Sequence, residues 1–382
     1  MELTTSRAEL PVYARLGIEI NEGDGVEVVA STGERYLDFY GGHATALLGY
    51  GHPALVRALT DQAGRLFFQT NLVDIEVRRR AHERLAALAP DGLERVFLVN
   101  SGAEANENAL RLALRATGRT RVVALEGSFH GRTAASAAVT YGSAAWYGFP
   151  RTPFDVTWVA VGDVDGLDQA LAGGDVAAVI VEAVQGVQGA RDLPDAFLQA
   201  VRERSRAAGA LLIADEIQCG MARSGKMFAF EHAGVDPDLV TTAKGLAGGF
   251  PAGAVLMTEA VGATVASGDL GTTFGGGPLA AALIVAVADA LSAPGFLDHV
   301  AEMGARIRST CRVGPVVDIQ GRGLLVGLRC SRPAKEVVGA LRDQGILTGT
   351  SKDPAVVRLM PPLVIDETHV DRLASALLSI PG

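Results

Sequence analysis

From about residue 95 the chain alternates two patterns. Short continuous apolar runs cover residues 96–100, 121–125, 156–161, 176–182, 210–215 and 253–257. Between several of them lie stretches with helical spacing: 103–116, a small-residue stretch near 133–139, one starting at Asp163, and 194–208. Unbroken apolar runs of strand length, alternating with amphipathic helices, predict a mostly parallel sheet covered on both faces. Right-handed crossovers then bring the strand carboxyl ends, and any ligand, to one edge. The two ends of the chain read differently. Residues 26–29 and 35–39 flank Ser31-Thr32-Gly33-Glu34 and predict a hairpin. A long helix starts near Pro278; after it, runs at 316–320 and 323–328 alternate with helical stretches at 332–344 and 366–378. The expected fold is α/β, with a seven-stranded-type sheet in a large domain (46–293). A small α+β domain is expected from both termini (1–45 and 294–382).

Composition narrows the class. A length of 382 residues fits two or three domains, and 48% hydrophobic with 20% charged residues supports a large core. The 46 glycines are dispersed between apolar runs, as many short β–α connections require. A net charge of −9 without any basic block makes nucleic acid a poor partner. The longest apolar stretch, 279–288, is stopped by Asp289 and is too short to span a bilayer. Residues 1–10 show no basic region followed by an apolar run, so no secretory signal is read there. The three cysteines form no CxxC pair, and the seven histidines form no ligand-spaced pair with them. A disulfide framework and a zinc site are therefore not expected. The expected location is the cytoplasm, with no membrane partner.

One count changes the picture. Of 34 basic residues only four are lysines: Lys226, Lys244, Lys335 and Lys352. Lys244 sits in Thr-Thr-Ala-Lys-Gly-Leu-Ala-Gly-Gly, among tiny and apolar neighbours. Burial lowers an amine's pKa, and a neutral amine attacks a carbonyl to form a Schiff base, which a guanidinium cannot do. A solvated loop lysine is the plainer alternative. Asp215 ends the apolar run 210–215, where a buried carboxylate needs a cationic or hydrogen-bonding partner; a pyridinium nitrogen would serve. An N-cap aspartate is the alternative there. Ser101-Gly102-Ala103 joins a strand to a helix and offers free amides, a hydroxyl and the helix dipole to a phosphate. Thr272 and Thr273, in glycine-rich backbone, are a second phosphate candidate. Neither GxGxxG nor GxxxxGKS is present, so dinucleotide and P-loop binding are disfavoured. Phe129 could stack on a flat cofactor and Arg132 could bind a carboxylate, although taken singly a core phenylalanine and a surface arginine are the plainer readings.

These segments together resemble the class III pyridoxal-phosphate aminotransferases of fold type I, nearest the acetylornithine and ornithine aminotransferase branch. The resemblance runs from Tyr13 to Pro362. It rests on the ordered motifs Asn-Ser-Gly-Ala-Glu-Ala-Asn (100–106), Phe-His-Gly-Arg-Thr (129–133), Ile-Ala-Asp-Glu-Ile-Gln-Cys-Gly (213–220), Ala-Lys-Gly-Leu-Ala-Gly-Gly-Phe-Pro (243–251), Thr-Phe-Gly-Gly (273–276) and Arg-Leu-Met-Pro-Pro-Leu (358–363).

The resemblance implies a transaminase of amino-acid biosynthesis working by ping-pong transfer, with pyridoxal 5'-phosphate as cofactor. Lys244 would hold the cofactor as a Schiff base and move protons. Asp215 would pair with the pyridine nitrogen and Gln218 with the ring's phenolic oxygen. Ser101, Gly102 and Ala103 would cradle the phosphate, Phe129 would lie on the ring face, and Glu182 would stand near the cofactor. Thr273, beside Thr272, would reach the phosphate in a neighbouring subunit, which implies a homodimer. Arg132 and Arg358 match the arginines that bind the two carboxylates of glutamate, favouring glutamate and 2-oxoglutarate as one substrate pair.

Two departures stand out. Residues 182–189 read Glu-Ala-Val-Gln-Gly-Val-Gln-Gly, so Val187 replaces the second glutamate of the family segment, the one that neutralises the α-carboxylate arginine. His43 occupies a position that is often aliphatic or aromatic, and Tyr13 falls near a carboxylate-binding position. An altered amino-group substrate is therefore expected. The alternatives are an aminomutase of the glutamate-1-semialdehyde type and a non-catalytic protein of the same fold.

Overall fold

The computed structural model describes residues 8–382. The N-terminal residues 1–7, which carry most of the signal-sequence reading, lie outside the described residues.

Seven strands form the main sheet, in the spatial order Arg95–Val99, Gly253–Met257, Leu239–Thr242, Leu211–Asp215, Val176–Val181, Arg121–Leu125 and Asp155–Val159. Gly253–Met257 runs antiparallel to both neighbours, and the other six share one direction. The central strand Val176–Val181 is buried at all six positions, as a sheet covered on both faces requires. The apolar runs of the sequence mark six of these strands. The seventh, Leu239–Thr242, is absent from the sequence reading, because its last two positions are threonines. Both are fully buried, and Thr241 Oγ1 donates to Asn106 Oδ1 at 2.8 Å.

Gly102–Thr117 is the main covering helix over the site. Ser101 caps it by accepting from the amide of Glu104, and Gly118 ends it in the left-handed conformation. On the other face Pro278–Leu291, almost wholly buried, packs against Glu76–Leu88 and Pro53–Arg65. The sequence pattern did not mark those last two helices, nor Phe296–Thr310.

The hairpin of Glu27–Ala30 and Arg35–Asp38 forms as the turn residues predict, with Val28 opposite Tyr36. It belongs to a four-stranded sheet with Ile20–Asp24 on one side and Ile346–Leu347, from the far end of the chain, on the other. A separate antiparallel sheet joins Val316–Arg322, Leu325–Cys330 and Val356–Leu359. Among the described residues, no single helix is long and apolar enough to cross a membrane. Among the same residues, no group of three or more His, Cys, Asp or Glu is placed to hold a metal ion.

Candidate active site

Five strands of common direction end at one edge of the main sheet, and a candidate residue follows each end. Ser101 follows Arg95–Val99, Phe129 follows Arg121–Leu125 and Glu182 follows Val176–Val181. Asp215 closes Leu211–Asp215, and Lys244 lies just beyond Leu239–Thr242. All five line one cavity of about 430 Å³ at that edge, together with Gly102, Ala103, Arg132 and Gln218. The antiparallel strand enters at the same edge, so Phe250, Pro251 and Ala252 form part of its wall. Gly253 makes this approach possible, because a Cβ there would stand 2.5 Å from the carbonyl oxygen of Ser101.

Asp215 is the most heavily bonded carboxylate of the floor. Its Oδ2 lies 2.7 Å from His130 Nδ1 and accepts from Asn106 Nδ2 at 2.7 Å, while Oδ1 accepts from the amide of Ile217 at 3.0 Å. His130 and Asn106 are both buried. Neither is singled out by the sequence reading, although both lie inside the quoted motifs. The signal was the requirement that a buried carboxylate have donors.

Lys244 keeps partial exposure to the cavity, yet its amine end is closely surrounded. Desolvation pulls its pKa down to about 8, against the opposing pull of Asp215 and Glu182. Its φ of 45° is left-handed, a costly conformation for a side-chain-bearing residue and one that clusters at functional sites. Glu182, 5% exposed, accepts from the amide of Phe129 at 2.8 Å; burial raises its pKa to about 7.

A second cluster, outside the cavity lining but close enough for Arg358 and His43 to feel the charge of Lys244, is built from distant segments. Arg358, on Val356–Leu359, is 6% exposed. Its Nη1 donates to the carbonyl of Gly186 at 3.1 Å and its Nη2 to Tyr40 Oη at 3.2 Å. His43 stands against Tyr40, 2.6 Å from the hydroxyl to Nδ1. Burial, then Arg358, then Lys244 push the pKa of His43 down to about 4, so its ring is neutral at ordinary pH. Val187 follows the carbonyl that Arg358 contacts, and its own carbonyl accepts from the amide of Lys352. Arg132 is exposed, with its Cζ 6.0 Å from the Phe129 ring centroid and 5.4 Å from that of Trp146. Neither Arg132 nor Arg358 has an ion-pair partner among the described residues.

Six candidates lie outside the cavity lining: Arg358, His43 and Val187, described above, and Tyr13, Thr272 and Thr273. Tyr13 is 77% exposed. Thr272 Oγ1 accepts from the amide of Gly275 in its own loop and from Asn100 Nδ2, beside Ser101, both at 3.1 Å. Thr273 is exposed.

The cavity fits pyridoxal phosphate on its own chemistry. The amides of Gly102 and Ala103, in the first turn of a helix, have no hydrogen-bond partner among the described residues. Gln218 Oε1 is buried without a partner, and Gly186 packs so closely on it that a Cβ there would overlap it. A buried carboxylate and a desolvated amine complete the set.

Residues 11–380 match the family model of class-III aminotransferases. The chain is 40% identical to acetylornithine aminotransferase 1 of Bradyrhizobium diazoefficiens, over 95% of this chain and 91% of that protein. It is 37% identical to the acetylornithine aminotransferase of Bacillus subtilis, over 96% and 95%. Among solved structures, an ornithine aminotransferase from Toxoplasma gondii superposes with a TM-score of 0.90 at 30% identity, covering 97% of this chain and 92% of that one. An N-acetylornithine aminotransferase from Stenotrophomonas maltophilia gives 0.83 at 32%, covering 96% of each. With the family model spanning nearly the whole chain and these relatives aligned end to end, the chain belongs to the class III aminotransferase family.

Proposed function

We propose that the protein is a pyridoxal-phosphate-dependent aminotransferase that exchanges an amino group between glutamate and a second carbonyl compound. The observation that carries this reading is the pairing of a desolvated amine, Lys244, with a donor-bonded carboxylate, Asp215, at adjacent strand ends facing one cavity. When bound, the cofactor supplies an aldehyde carbon that takes up the amino group and a ring that spreads negative charge.

The residues divide the remaining work. Lys244 holds the cofactor covalently through its amine and afterwards carries a proton to and from the substrate's α-carbon. Asp215, fixed by His130 and Asn106, holds a proton at the ring nitrogen by charge pairing. Gln218 offers its amide to the ring oxygen. Ser101, Gly102 and Ala103 hold the phosphate through a hydroxyl and helix-end amides. Phe129 covers the ring face, and Glu182 fixes the backbone of Phe129. Arg132 and Arg358 bind the two carboxylates of glutamate or 2-oxoglutarate; neither has an acidic partner among the described residues, which supports this.

The amino-group partner differs from that of a plain acetylornithine aminotransferase, because Val187 supplies no carboxylate to neutralise Arg358. The protein works as a homodimer, with the exposed Thr273 offered to the phosphate site of a second copy. Phe67 and Phe274, 69% and 65% exposed, support such a contact. The chain divides at 1–45, 46–293 and 294–382, and the strand Ile346–Leu347 paired with Arg35–Asp38 supports a small domain made from both ends.

The test is direct. Glutamate added to the cofactor-loaded protein should bleach the visible band and release 2-oxoglutarate. An unchanged spectrum without 2-oxoglutarate would remove the glutamate assignment.

A further inference from the structure

Arg358 presents an unusual balance of charge. A guanidinium this deeply buried is costly without an anion. Among the described residues its ligands are one backbone carbonyl and one phenol, and its Nε, also buried, has no partner. The Tyr40 ring also lies beside it, with 5.7 Å between Cζ and the ring centroid.

The proton count fixes the direction of the contacts. Arginine only donates, so Tyr40 Oη accepts from Arg358. A phenol has one proton, so the proton of Tyr40 points the other way, to His43 Nδ1 at 2.6 Å. That requires an unprotonated His43 nitrogen, consistent with the depressed pKa of this ring.

Two backbone features hold the pair in place. His43 lies at φ 63° within a left-handed run from Gly41 to Ala44, a strain that non-glycine residues rarely carry. Gly349 abuts the Tyr40 ring so closely that a Cβ there would overlap it. Tyr40 therefore sits in a slot that only glycine leaves open.

We infer that Tyr40, oriented by His43, is a positioning residue that fixes the Arg358 guanidinium with a neutral partner and leaves its charge for the carboxylate beside the reacting carbon of both substrates. The inference rests on the aminotransferase reading above and extends it to substrate class. Amino acids and keto acids that carry a carboxylate on the reacting carbon are the substrates of both half-reactions. Amines and aldehydes without one are poor substrates, because they leave a buried guanidinium without an anion.

The matched acceptors 2-oxoglutarate and succinic semialdehyde differ only by that carboxylate. Single-turnover reaction of each with the amino form of the enzyme gives the ratio of their kcat/KM values. Tyr40→Phe keeps the ring and removes the hydroxyl. It should lower the ratio about 3–10-fold, through a raised KM for 2-oxoglutarate with kcat nearly unchanged. His43→Ala should move the ratio the same way by about threefold. A ratio within twofold of wild type in an active Tyr40→Phe enzyme, or a loss confined to kcat, overturns the inference while sparing the aminotransferase reading. A wild type inert toward both acceptors removes both.

Discussion

The two walls of the cleft are built on opposite principles. On the sheet wall the buried carboxylates are paired. Asp215 has three donors, and Glu182 receives the Phe129 amide. On the far wall Arg358 is buried with two neutral contacts and one orphan nitrogen. Pairing within the chain fixes geometry in advance, which suits a cofactor that stays. Incomplete pairing leaves free energy to be gained only when a ligand arrives, which suits substrates that come and go.

The sharpest way to break this contrast is Asp215→Asn. The shape is kept, while the charge facing the ring nitrogen is lost. Turnover should fall about 10²–10³-fold, with the cofactor still bound. A loss below tenfold, measured as 2-oxoglutarate formed from glutamate, would mean that the paired wall is structural only.

A second test uses the depressed pKa of Lys244. Only the neutral amine attacks the cofactor's aldehyde, and the group is an ammonium below about pH 8. The rate at which stripped protein recaptures pyridoxal phosphate should rise about tenfold per pH unit up to about 8 and then level. A rise continuing past pH 10 would mean that the amine is not desolvated.

The smallest effect concerns the open wall. Val187→Glu puts a carboxylate next to the carbonyl that Arg358 contacts. The KM for 2-oxoglutarate should rise about fivefold as the new side chain competes for the guanidinium, and acetylornithine should become a better donor. Unchanged values for both would show that residue 187 does not reach the switch.

The two walls were also unequally legible in the sequence. The sheet wall lies at the ends of apolar runs, and its residues fall in short contiguous motifs, so Ser101, Phe129, Asp215 and Lys244 were all readable. What failed there was the strand Leu239–Thr242, whose buried threonines hide its apolar character. His130 and Asn106 were hidden differently: both stood in plain view, but only three-dimensional contact shows that they meet at Asp215. The far wall is assembled across the whole chain. Tyr40 and Arg358 are 318 positions apart, and a tyrosine near the end of a hairpin strand reads as ordinary core. The departure at Val187 was visible, whereas the phenol–imidazole pair facing Arg358 was not. The helices Pro53–Arg65 and Glu76–Leu88 escaped for a further reason. Their exposed faces carry so many charged and polar residues that the apolar stripe is narrow.

The central claim is that Lys244 is the amine that holds the cofactor, and the scarcity of lysine makes it testable in one experiment. Borohydride reduction of the loaded protein, followed by peptide mass mapping, should place a phosphopyridoxyl group on Lys244 and leave Lys226, Lys335 and Lys352 unmodified. The label on any of those three, or on none of the four, would contradict the account.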